Sequence, residues 1–501
     1  MLTLRQLRAL SSLRRQMVRS RATRIGLTLA VCALPVVLAV AVWAGTQQHQ
    51  PLHSAWVVPA LFASVAGVAV LAPLAVGGGY QLFGEDQLVA FPVRPSTLAV
   101  GSLLLSPLNL TWLAQVLGAA TATGYLTGTG PRLALAALTT VAYVVLAAVA
   151  GAAICWTIVG ARARRAGRVT VGALGVALGA ALWLVAATGQ GGRVLDASPT
   201  GWVITLVEHA YEGSLARWAT GFAVLVLGAI VAAGTAVRAC GWAMTRTPDR
   251  SITHGAVAPV RRRAPQRSVF AELVAIDRAS VWRAAPLRRG VLMLAFVPGS
   301  AAAVTGLEWS SIVMLPGIVA AGTGLLFGIN VFCLDAGGAI WLTTLPHDPR
   351  MAYLAKARVL AELCLLTSVT TVLLAASRTA AMPTPAELSA TAGALVLGPA
   401  LVVASCMSIS VRRPHRAELR GPRDTPVPPG SMFIYTVLLS LAATITGAVL
   451  AAFAFDAERP WLPLALGLGL TVPALASVLR GSHRWRDPAR RARVVATVAA
   501  G

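Results

Sequence analysis

Along most of this chain the apolar positions run together, in stretches of about twenty residues or more, and short arginine-bearing segments separate them. A helix rises about 1.5 Å per residue, so roughly 20 apolar residues cross the hydrocarbon core of a bilayer. On that measure the runs at 25–44, 55–80, 98–124, 132–159, 169–188 and 216–240 predict six spanning helices in the first half. Runs at 290–307, 310–334, 353–377, 387–411, 431–455 and 461–480 predict six more in the second. The expected fold is all-α and polytopic, twelve spans arranged as six plus six.

Two stretches have a different pattern. In residues 1–24, Leu2, Leu4, Leu7, Leu10, Leu13 and Met17 fall near helical spacing among seven arginines and no acid, which predicts a basic amphipathic helix on a membrane surface. The apolar run after it exceeds the usual length of a signal-peptide core, so a retained span is expected there. A second surface helix is predicted in FAELVAIDRASVWRAAPLRR, residues 270–289. The expected organisation is a first six-span unit over 1–245, a basic linker with its surface helix over 246–288, and a second six-span unit with a basic tail over 289–501.

One short stretch occurs twice. Residues 84–98 read GEDQLVAFPVRPSTL and residues 338–352 read GAIWLTTLPHDPRMA, so that Gly84, Leu88, Pro92 and Pro95 align with Gly338, Leu342, Pro346 and Pro349 at one offset. An arginine, Arg94 or Arg350, flanks the second proline of each copy. This predicts a short surface helix stopped by the first proline, followed by a spanning helix opened by the second, whose lack of an N–H is harmless in a first turn. Matching elements in matching halves point to duplication of a whole unit.

Composition agrees with a bilayer: 56% of residues are hydrophobic, 12% are charged, and the mean hydropathy is +0.72. The net charge of +24 could suggest nucleic acid, but the arginines cluster between apolar runs, as expected for segments retained on the cytosolic side. Anionic lipids of the inner leaflet are the expected partners, and nucleic acid is not. With both termini cytosolic, the inner segments hold 36 of the 42 lysines and arginines. The six cysteines form no CxxC pair and the seven histidines no HExxH, so neither a disulfide framework nor a metal site is expected.

The chain has one lysine, Lys356, in MAYLAKAR with no glycine near it, so no Walker A loop can be built. No GxSxG is present. Three polar residues are expected within spans: Asn330, Arg358 and Glu362. Glu362 follows Arg358 by four residues and so shares its helical face; an acid at bilayer depth is by default a functional candidate, against which stands a structural pair with Arg358.

The order of elements resembles the transmembrane subunit of type-2 ABC exporters: a surface helix, two spans, a segment ending LP-x-x-PR, and four more spans with SPTGWVITLVEHAYEG (198–213) before the sixth. FPVRPSTLAVGSLL (91–104), LPHDPRMAYLAKAR (345–358) and DRASVWRAAPLRR (277–289) carry the likeness. It implies an export permease of a bacterial plasma membrane, without a catalytic site or cofactor of its own. A separate cytosolic ATPase in two copies would drive it, and it would move a drug, lipid or peptide outward. The repeated elements would be coupling helices, with Glu85, Asp86, Pro92, Arg94 and Pro95 in one contact patch. Asp335, Pro346, Asp348, Pro349 and Arg350 would form the other. Family members commonly carry one six-span unit per chain, whereas here two are fused. Two other readings stay open: a secondary transporter of the major-facilitator kind, with Glu362 as its ion-coupling acid, and a membrane enzyme or assembly factor.

Overall fold

The computed structural model describes residues 38–43, 45–46, 57–76, 94–104, 110–130, 132–246, 268–379, 381–417, 426–427, 429–455 and 458–499. The fold is all-α, in two compact units that divide between Ala258 and Pro259. Among the described residues, seven helical stretches are long and apolar enough to cross a membrane, which makes this a multi-pass membrane protein. The expected span 25–44 is described only over 38–43, and the amphipathic segment 1–24 lies outside the described residues.

The first unit contains α1 (Val57–Val76), α2 (Pro95–Leu104), α3 (Leu110–Thr127), α4 (Leu133–Arg162), α5 (Arg165–Thr188), α6 (Gly191–Asp196), α7 (Pro199–Glu212) and α8 (Leu215–Met244). Within the expected span 98–124 the described residues form α2 and α3, and 105–109 lie outside them. α4 packs along most of α8 and also against α1, α3 and α7. Polar side chains fasten these faces. Tyr143 donates to the Phe62 carbonyl at 2.7 Å, Trp218 donates to the Thr139 hydroxyl at 2.9 Å, and Thr123 bonds Thr140 at 2.6 Å. In an apolar surround such hydroxyls need partners, and these find them across helix interfaces. α7 is the segment expected before the sixth span: Ser198 caps it, Pro199 opens it, and Gly213 ends it at φ +88°.

The second unit contains α9 (Val269–Arg283), α10 (Ala285–Thr305), α11 (Trp309–Ile312), α12 (Leu315–Leu326), a 3-10 segment (Gly328–Asp335), α13 (Gly338–Thr344), α14 (Pro349–Ala376), α15 (Pro385–Arg412), α16 (Pro429–Phe453), α17 (Leu462–Arg484) and α18 (Pro488–Ala499). α15 starts where its sequence dictates. Thr384 accepts from the Glu387 N–H, the Glu387 carboxylate accepts from the Thr384 N–H, and Pro385 fills the first turn. α15 packs most extensively on α17, and α12 lies against α14, α15 and α16. The close approach depends on small residues: a Cβ on Gly467 would come within 2.7 Å of the Gly393 Cα. Thr323 and Thr367 bond at 2.9 Å between α12 and α14.

The surface helix expected at 270–289 is α9, broken from α10 at Ala284, and it packs on α14, α10 and the 3-10 segment. α9 therefore belongs to the second unit. Its Leu273, Val274, Asp277 and Val281 are buried, while Val269, Glu272, Ile276 and Trp282 face outward.

Candidate functional site

The second copy of the repeated stretch is fully described, and it is a short helix between two spans. α13 covers Gly338–Thr344, and Leu345, Pro346 and His347 turn the chain. Asp348 caps α14 by accepting from the Arg350 N–H at 3.0 Å, and Pro349 takes the first helical position. In the first copy, 84–93 lie outside the described residues, and with them Glu85, Asp86 and Pro92. Residues 94–98 of that copy match the second: the exposed Arg94 precedes Pro95, which opens α2, and the Arg94 carbonyl accepts from the Leu98 N–H.

One face of α13 is anchored. Ala339 is buried, and Leu342 packs against the core in which Phe332 stacks on Trp485 at 4.4 Å with Tyr353 beside them. α18 completes this seat: Val494 and Val498 are buried one helical turn apart, and α18 contacts both α13 and the 3-10 segment. Between them is a cavity of about 50 Å³, whose walls include Phe332, Leu342, His347, Lys356, Trp485 and Val498. Arg486 reaches back to Asp348 at 3.0 Å and ties the start of α18 to the start of α14. That guanidinium, and then the Arg350 N–H, hold the Asp348 carboxyl below the usual carboxylate range.

The other face of α13 is bare. Ile340 is 52% exposed, Trp341 74% and Leu345 57%, and their spacing places them together with Thr344 on one side. In a membrane protein such exposed apolar side chains meet either lipid or another protein.

Behind α13 is a cluster of charges. Lys356 is 2% exposed, and its ammonium donates to Asp277 on α9 and to Asp335 at the end of the 3-10 segment, at 2.8 Å each. Burial pushes the Asp277 carboxyl above its ordinary value, and Lys356 opposes the shift. Asp335, expected in the contact patch, thus points inward to Lys356. The lysine is singular in the sequence, but its partners lie 79 and 21 positions away, beyond any spacing rule.

Of the polar residues expected within spans, Glu362 does meet Arg358, at 3.0 Å, and also receives two bonds from Arg278 of α9, at 2.7 and 2.6 Å. Asn330 is fully buried, and its amide donates to the carbonyls of His415 and Pro426, at 2.8 and 2.6 Å. It holds the segment after α15 against the 3-10 segment, where its own backbone leaves helical geometry. Arg350 is half-buried, its Nε without a partner. No protein-family model, curated protein or solved structure matches this chain.

Proposed function

We propose that this chain is the membrane permease of an ATP-driven exporter of the type-2 ABC kind, powered by a separate cytosolic ATPase present in two copies. One observation carries the reading: α13 is fixed on one side by Ala339 and Leu342 and presents Ile340, Trp341 and Leu345 on the other. A short helix seated on one face, with an exposed aromatic on the other, suits transmission of force from a docked partner, because aromatic anchors carry most of the energy of an interface. The first copy, over 84–95, is the second handle, one for each ATPase.

The two-fold plan of six plus six spans draws support from packing within each unit. α4 lies along α8 as α15 lies along α17, and α1 meets α3 and α4 as α12 meets α14 and α15. Proline opens α2 and α14 at aligned positions. The arginine distribution favours a bacterial plasma membrane location with both termini and both handles on the cytosolic side, against anionic lipid. The cargo is an apolar or amphipathic molecule: a drug, a lipid or a peptide. The ion-coupled reading loses ground because Glu362 is engaged by two guanidiniums, whereas a carrier needs a carboxyl free to gain and lose its proton.

A photo-crosslinking amino acid at position 341, activated in native membranes, tests the handle. Capture of a soluble subunit containing a Walker A loop is the expected result; crosslinks to lipid alone would contradict it.

A further inference from the structure

Asp335 is joined to α13 by two residues, and the first of them is strained. Ala336 lies at φ +44°, ψ −130°, a backbone conformation suited to glycine, and it is the only non-glycine residue at positive φ among those described. Glycines do come next, at 337 and 338, but Gly337 is at φ −61° and neither needs the freedom it has. A strained residue of this kind persists only where its surroundings hold it from both sides. Here the Lys356 ammonium grips Asp335 on one side, and on the other α13 is seated on α18 and the Phe332–Trp485 stack. A Cβ at Gly337 or Gly338 would meet nothing within 4 Å, so the chain there has room to turn.

We infer that residues 335–338 form a loaded joint and that Lys356 is its latch: when Asp335 leaves the ammonium, Ala336 relaxes to an ordinary conformation and α13 pivots on Gly337 and Gly338. The latch shares its cation. Asp277 and Asp335 both accept from the one Lys356 ammonium. A push on α9 that tightens Asp277 on Lys356 therefore weakens the hold on Asp335, and α9 and α13 move as linked parts. This holds whatever covers the exposed face of α13, and it stands or falls separately from the exporter assignment.

The test is amide hydrogen exchange on the full chain in lipid nanodiscs, with no added partner. Asp335→Ala and Asp277→Ala each remove one carboxylate from the same lysine, but only the first frees α13. Exchange over residues 338–344 should rise at least tenfold in Asp335→Ala and stay within twofold of the wild type in Asp277→Ala. Ala336→Gly, which relieves the strain and leaves the latch closed, should raise the melting temperature without speeding exchange over 338–344. Equal acceleration in both carboxylate variants, no acceleration in Asp335→Ala, or a lower melting temperature for Ala336→Gly would overturn the proposal. Should Asp335→Ala fail to fold, the Ala336→Gly melting temperature still decides whether the joint is strained.

Discussion

Glu362 accepts three hydrogen bonds from two arginines, one of them Arg358 at the expected spacing of four. That half of the cluster is legible in the sequence because a helix face is a local property. Arg278 is not, since it arrives from a separate helix 84 positions earlier. In an exporter this group is structural, so Glu362→Gln should retain transport measured in inverted vesicles; complete loss of transport with normal insertion would favour the ion-coupled carrier. Asp348 provides a test by pH. Its carboxyl is lowered, so the link to Arg486 adds stability that is present above the unfolded carboxylate pKa of about 3.9 and disappears as pH falls through the lowered value. Asn is also a good N-cap, so Asp348→Asn removes the charge and keeps the cap. The melting temperature of the wild type should exceed that of Asp348→Asn from pH 8 down to about pH 4, with the gap closing below; a gap that widens at low pH would show that the pair is not the cause.

At the scale of elements, starts and stops are legible where local chemistry sets them. Pro349 opens α14, and the Thr384–Glu387 box opens α15. Breaks inside a span are less legible, because hydropathy sees a run of apolar residues and not where its helix is interrupted. The run 310–334 divides into α11, α12 and the 3-10 segment, with Pro316 in the first turn of α12 and Asn330 non-helical. Nor does hydropathy report which faces meet. The approach of α15 to α17 at Gly393 and Gly467 is a tertiary property, and in lipid it is packing that holds such helices. Gly467→Leu should force them apart and cost about 1 to 3 kcal/mol or more, as overpacking does. Thermal unfolding in detergent measures this, and an unchanged melting temperature would mean that the contact does not hold the two helices together.

For the whole molecule, orientation determines what α13 can meet. In the orientation proposed from the arginine clusters, the segment around Ala163 is inside and that around Thr129 outside. A cysteine at Thr129 should therefore label from outside in intact cells, and one at Ala163 only after permeabilisation; the reverse pattern would put both handles on the wrong side for an ATPase. α13 itself is visible as one copy of a repeat without any geometry, since prolines at one offset with an arginine beside them are a sequence property. Its anchoring by α18 and the pairing of Asp335 with Lys356 are not, because both depend on segments brought together by the fold.

The most direct measurement is ATP hydrolysis by the chain purified in mild detergent from native membranes with whatever accompanies it, for the wild type and for Trp341→Glu. A charge at position 341, where the native side chain is 74% exposed, leaves the core untouched, so the protein should insert and purify normally. If α13 is a docking handle, the wild type carries an ATPase subunit with measurable hydrolysis, and Trp341→Glu loses at least tenfold of both, since loss of an interface anchor costs about 2 kcal/mol or more. Wild-type protein that never carries an ATPase, or a Trp341→Glu variant that retains it in full, would contradict the claim that this chain is a permease driven through α13.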